Sequence, residues 1–358
     1  MEFLKSKRGI LLLILIVLAV LWVSGHKYNS VENAKMITPR YNHSSILLDN
    51  GNVLLIGGSN QKAAKSAEIY LSEKQQFNSL PDTNFSHAKS FLVKKANKVF
   101  IIDKNPIEFF DENTNQFTNL KECIFKQDCS LPEAKRRYFE VTDFFNDNVI
   151  INDKEKLYLY NLKKLQLTEI KGLENVTKLT PLSDKEIVIF KTAASTEISV
   201  CNIETSKCKK PLEISKLNKT FKPLLLENRT IYILDGIKSY IYKADENTIE
   251  ELDKFCEHKA LYETDAIQLK NKNILIIPGN IDDKTSLKDT YIFDKATKSY
   301  TPGANLKYSA KYSSKTLLKD GNILITGGER DINKFNIKEV FLNSDILPSR
   351  CSQKYLQN

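Results

Sequence analysis

Six cysteines, four histidines and a set of arginine and tyrosine residues are the side chains in this sequence best suited to chemistry. The cysteines fall as two close pairs, Cys123 with Cys129 and Cys201 with Cys208, and one distant pair, Cys256 with Cys351. Zinc would require Cys-x-x-Cys spacing with partner ligands, and that spacing is absent, so the expectation is disulfides and no metal. The histidines, His26, His43, His87 and His258, show no ligand spacing either. No cofactor is expected. Arg40 and Tyr41, His87, Arg136-Arg137-Tyr138, Tyr262-Glu263, Tyr308 with Tyr312, and Arg330-Asp331 form the candidate binding set. Arginine forks and tyrosine rings in one place suit a carboxylate, a sugar or a peptide. Each of them also has a bland reading, as a polar residue hydrogen-bonded within the scaffold.

The elements that must position these groups recur along the chain. Gly51-Asn-Val-Leu-Leu-Ile-Gly-Gly58 returns as Gly321-Asn-Ile-Leu-Ile-Thr-Gly-Gly328. Each copy follows an apolar run and an Asn-Gly or Asp-Gly dipeptide, the residues that tight hairpins require. Four-residue apolar runs begin at Val53, Val99, Val149, Ile187, Ile231, Ile274 and Ile323, at intervals of 38 to 50 residues. After each comes a second strand signal ending in an aromatic, such as Tyr70, Phe110, Tyr160, Tyr242 or Phe293, with an apolar residue seven positions on. That spacing places the two on facing positions of a hairpin. In the fourth repeat the two positions are Cys201 and Cys208, which makes a cross-strand disulfide the expectation there.

Within the first repeat, Pro39-Arg40-Tyr-Asn-His43, Asp49-Asn-Gly51, Gly57-Gly58 and Glu68-Ile-Tyr70 resemble, in order, the kelch repeat. The resemblance is strong in repeats 1, 6 and 7, whereas repeats 2 to 5 lack Gly-Gly and rest on spacing. It implies an all-β fold, a seven-bladed kelch-type β-propeller over residues 27–358, with four-stranded blades around a channel. The seventh blade is expected to take its fourth strand from residues 28–36, which would close the ring. The long loops after the second strands, at 59–66, 279–288 and 328–338, would then neighbour one another on one face.

Residues 1–26 read differently. Lys5, Lys7 and Arg8 precede an uncharged run from Gly9 to Gly25, just long enough to cross a bilayer. A signal anchor and a signal peptide cleaved near Gly25 both export the remainder, and the positive flank stays cytoplasmic. The expectation is membrane attachment through residues 9–25, or secretion after cleavage, with the propeller on the extracytoplasmic side. Export agrees with disulfides. The formal charge of +9, from 53 basic and 44 acidic residues, is spread out, and no basic cluster with interleaved aromatics points to nucleic acid. The expected partner is a protein or a glycan of the cell envelope or outside, bound by a scaffolding or binding module. A metal-free sugar-modifying enzyme of the sialic-acid mutarotase type is the alternative implied by the resemblance, using Arg136, Glu263 and Arg330. A galactose-oxidase-like enzyme is disfavoured by the few histidines.

Overall fold

The computed structural model describes residues 35–218, 220–255, 261, 264–279, 287–306 and 311–328, and the backbone of 338–341. Consecutive strands pair antiparallel in chain order, giving six four-stranded sheets and one three-stranded sheet. The seven apolar runs are the second strands, from Val53–Ile56 to Ile323–Thr326. They are buried on both faces, which is why they read as continuous apolar runs rather than alternating ones.

The first strands of successive sheets lie side by side around an axis: Ser44–Leu47, Phe91–Lys95, Glu140–Asp143, Lys178–Pro181, Lys222–Leu225, Asp265–Gln268 and Ser314–Leu317. Ser314–Leu317 returns to Ser44–Leu47, and Ser45 Oγ lies 2.6 Å from both Ser314 Oγ and Thr316 Oγ1 across that seam. Apolar layers fill the spaces between sheets. Leu54 and Ile56 pack toward the second sheet against Val99 and Ile101, whereas Val53 and Leu55 pack toward the last sheet against Leu318 and Leu324. Strand alternation thus supplies both neighbours from one strand.

The expectation of seven four-stranded blades is corrected: six blades are complete, and the seventh sheet has three strands among the described residues. Residues 28–34 lie outside the described residues. Met36 carries no strand, but it is buried against Val53, Tyr70 and Leu324 at the seam. Among the described residues no helix is long and apolar enough to cross a membrane, and residues 1–26 lie outside them.

The hairpin spacing is realised in the first six repeats. Tyr70 faces Phe77, Phe110 faces Phe117, Tyr160 faces Leu167, Tyr242 faces Ile249, and Phe293 faces Tyr300. Cys201 faces Cys208 and is bonded to it, and Cys123 is bonded to Cys129. Cys256 and Cys351 lie outside the described residues.

Candidate binding cavity on the linker face

The Gly-Gly pairs place the linkers. Gly57 and Gly58 follow the second strand of blade 1 with positive φ, and Gly58 N–H donates to His87 O at 2.7 Å. A Cβ on Gly57 would sit 2.1 Å from that same oxygen. The seventh sheet repeats the arrangement one step back. Gly328 N–H donates to Arg40 O at 3.1 Å, and a Cβ on Gly327 would sit 2.2 Å from Arg40 O. Glycine is needed because the backbone entering the next blade passes where a side chain would be.

This approach buries Arg40 and His87 at matching positions of blades 1 and 2. Arg40 is 1% exposed. Its Nη1 donates to Gly57 O (2.7 Å) and Ser66 O (3.0 Å), and its Nη2 to Ser66 Oγ (3.0 Å) and Glu68 Oε1 (2.6 Å). Glu68 also accepts from the backbone N–H groups of Ile37 and Thr38. Arg40 therefore ties the entering chain to blade 1, and its side chain does not reach the rim. In blade 2 His87 Nδ1 bonds Asp103 Oδ2 (2.7 Å) and Nε2 bonds Glu108 Oε1 (3.1 Å). Glu108 in turn accepts from Asn84 N and Nδ2 and from Phe85 N. Burial works to lower the imidazole pKa, but the hydrogen bonds and charges of Asp103 and Glu108 outweigh it and raise the value to about 9. Glu108 is held below the usual carboxylate range, since His87 and Asn84 outweigh the upward push of burial.

His87, Asp103 and Gly58 line a cavity of about 460 Å³ whose wall includes Lys104, Arg137 and Tyr138. Lys104 pairs with Glu133 at 3.1 Å. Arg137 is held at 3.3 Å from Asp153 and lies 4.1 Å over the Phe125 ring, while its N–H donates to Asp128. Arg136 anchors the same loop through Leu131 O and through Asn105 Oδ1. Tyr138 is 63% exposed, with Lys154 Nζ 5.3 Å from its ring. Burial, then the charge of Glu140, raises its phenol pKa. The cavity thus offers an aromatic plane beside cations and carboxylates. Both ring nitrogens of His87 donate when it is protonated, leaving no lone pair to take a proton from a substrate.

The structure therefore gathers His87, Arg137 and Tyr138, with Arg136 behind them. Tyr41 lies nearby, its carbonyl accepting from Ser59 N–H, and Tyr312 carries Lys89 and Lys311 over its ring. Lys89 also lines the cavity. Tyr262, Glu263, Tyr308, Arg330 and Asp331 lie outside the described residues, as do most of the loops after the second strands of the sixth and seventh sheets. Among the described residues no group of His, Cys, Asp or Glu is placed to hold a metal.

Sequence reasoning missed a belt of charge on the first strands. Lys178 Nζ bonds both carboxylate oxygens of Glu140 at 2.9 Å. Asp265 pairs with Lys222 at 3.2 Å and with Lys315 at 2.5 Å. Burial raises the Asp265 pKa, but Lys315 and then Lys222 outweigh this and hold it down to about 2. Glu140, Lys178, Lys222 and Asp265 each pair with the fourth residue of the apolar run in the neighbouring second strand: Asn152, Phe190, Leu234 and Ile277. Each stands nine residues before the start of its apolar run, and that fixed offset was the available signal.

No family model and no curated protein matches this sequence. Among solved structures, the extracellular domain of the putative one-component system BT4673 from B. thetaiotaomicron superposes with a TM-score of 0.57 at 12% identity. It matches over 89% of this chain and 40% of that one. The chain is a β-propeller. A fungal alcohol oxidase of the AA5 family in complex with copper also aligns, with a TM-score of 0.43 and 14% identity, over 84% of this propeller and 61% of the oxidase. The propeller thus spans less than two thirds of the length of either protein.

Proposed function

We propose that this propeller is an extracytoplasmic binding module, tethered through residues 9–25, that holds a protein or glycan partner at the linker-face cavity of blades 1 to 3. The observation that carries the reading is the state of His87. A buried imidazole whose two ring nitrogens are both engaged by carboxylates holds its place in the scaffold and leaves no free nitrogen to exchange a proton with a substrate. Exposed Tyr138 and the Lys104 and Arg137 side chains supply the contact surface, and aromatic planes edged by cations are common recognition elements. The two disulfides support export, and the neighbouring structure from B. thetaiotaomicron is itself an extracellular domain. The finer kelch assignment, with residues 28–36 completing a seventh blade, belongs to the same proposal and is supported by Met36 at the seam.

The test is a glycan array and a pull-down from envelope extract with residues 26–358, comparing the wild type with Tyr138→Ala and Lys104→Glu. A ligand retained by the wild type and lost by both variants is the expected result. Capture unchanged by either substitution would move the site elsewhere. Acceleration of sugar anomerisation by the purified domain, followed by NMR, would replace the binding reading with the enzymatic one.

A further inference from the structure

A second cavity lies at the boundary of blades 2 and 3, under the loop closed by Cys123–Cys129. Its volume is about 430 Å³, and Phe125, Tyr158, Tyr160, Leu165 and Leu167 line it. In three other blades a ring pair occupies the equivalent facing positions. The ring centroids of Tyr70 and Phe77 are 5.0 Å apart, those of Phe110 and Phe117 5.1 Å, and those of Phe293 and Tyr300 5.0 Å. In blade 3 the first ring is present as Tyr160, but its facing residue is Leu167. Both Tyr160 and Leu167 line the cavity.

The Tyr160 hydroxyl adds a chemical demand. Tyr160 is 1% exposed, and its hydroxyl is buried without a hydrogen-bond partner. That omission costs about 1–3 kcal/mol, so a partner arriving from outside recovers it. Tyr242, at the same position of blade 5, is satisfied within the fold by Asn247 Oδ1 at 2.8 Å. Blade 6 shows the complementary solution. There the Tyr300 ring packs tilted against Phe293 while its hydroxyl meets the Tyr232 hydroxyl of the neighbouring blade at 3.3 Å and also bonds Ser239 Oγ. A phenol in the fourth-strand position, bonded to a buried tyrosine, is already built into this molecule.

We infer that the blade 2–3 cavity binds a phenolic ring, which packs against Tyr160 as Phe77 packs against Tyr70 in blade 1 and exchanges a hydrogen bond with the Tyr160 hydroxyl. Phe125 and Tyr158, whose rings already meet edge-on at 5.3 Å, close the sides. Gln127 and Gln166 at the cavity wall can hydrogen-bond whatever carries the ring. The ring can come from a free small phenol or from a tyrosyl side chain.

The experiment titrates the oxidised domain with p-cresol, with toluene and with the capped peptide Ac-Ser-Tyr-Ser-NH2, reading saturation-transfer NMR and calorimetry. Cresol is expected to bind about tenfold more tightly than toluene, the difference of one hydrogen bond. Tyr160→Phe should abolish that ratio while leaving toluene binding intact. Leu167→Phe, which gives blade 3 the ring pair of blades 1 and 2, should remove binding of all three probes while raising the melting temperature. A peptide tighter than cresol assigns the site to tyrosyl groups, and the reverse assigns it to free phenols. Absence of cresol binding, or a cresol-to-toluene ratio that survives Tyr160→Phe, overturns the inference. The Tyr160→Phe variant keeps the test valid if Leu167→Phe does not fold.

Discussion

Blades 1 and 2 solve one problem with different cations. In each, a glutamate at the start of the third strand, Glu68 or Glu108, is fully buried and faces a basic residue from the linker that enters the blade. In each it also takes backbone N–H groups of a linker, Ile37 and Thr38 for Glu68, Asn84 and Phe85 for Glu108. Blade 1 uses Arg40, whose remaining donors bind Gly57 and Ser66. Blade 2 uses His87, which holds two carboxylates and can lose its proton. The second clamp discharges as the pH rises through about 9. The pH-sensitive clamp is the one that forms the floor of the cavity.

The largest effect should come from removing the glutamates. Glu68→Ala leaves Arg40 charged, buried and unpaired, and is expected to cost about 3–5 kcal/mol. Glu108→Ala should cost less, because His87 can deprotonate and retains Asp103. Urea denaturation of the two variants at pH 7 tests this, and equal losses would remove the distinction between the clamps. Next, Gly327→Ala and Gly57→Ala should each lose about 2–4 kcal/mol, since the new Cβ meets a linker carbonyl and φ is +61° or +68°. A loss below about 1 kcal/mol would show that the linkers can retreat.

The third prediction separates the clamps by pH. The folded pKa of His87, about 9, lies above the unfolded value of 6.5. Its contribution is therefore complete below pH 6.5 and drains away as the pH rises through 9. His43, whose Nε2 meets Thr326 at the seam, behaves oppositely. Burial first, then Arg40 and Lys315, holds its pKa well below 6.5, so its contribution is present above pH 6.5 and lost on acidification. In stability–pH profiles, His87→Gln should flatten the alkaline arm and His43→Gln the acid arm. A profile in which His87→Gln leaves the alkaline arm unchanged would contradict the assigned charge. The smallest effect is expected from Asn84→Ala, which removes one of the hydrogen bonds to Glu108 and should cost about 1–2 kcal/mol by thermal melting.

Much of the architecture was legible in the chain because it repeats. The buried second strands must be continuously apolar, and the hairpin must bring residues seven apart face to face, so the two landmarks reported real geometry. The same rule read Cys201–Cys208 as a bond. Arg40 was harder. Its place in the repeat fixes where it enters the blade, but only Glu68, 28 residues on, shows that the guanidinium turns inward. His87 had a similar difficulty, since Asp103 and Glu108 reach it from two different strand ends. The charge belt followed a fixed offset but ran across blades, between residues such as Lys178 and Glu140 that are 38 apart. Contacts between repeats leave no trace within any one of them. The fourth strand of the last sheet was assigned to residues outside those described, and the complete blades number six.

The seam between Ser314–Leu317 and Ser44–Leu47 has a mechanical consequence. There the ring is closed by hydroxyls, His43, the packing of Met36 and backbone hydrogen bonds from Gly328 N–H to Arg40 O and from Asn42 N–H to Tyr312 O, while every other junction is also crossed by the peptide chain itself. Tension applied between residue 36 and residue 341 would load that one joint, and the circle would open there as a clasp does, before any blade unravelled.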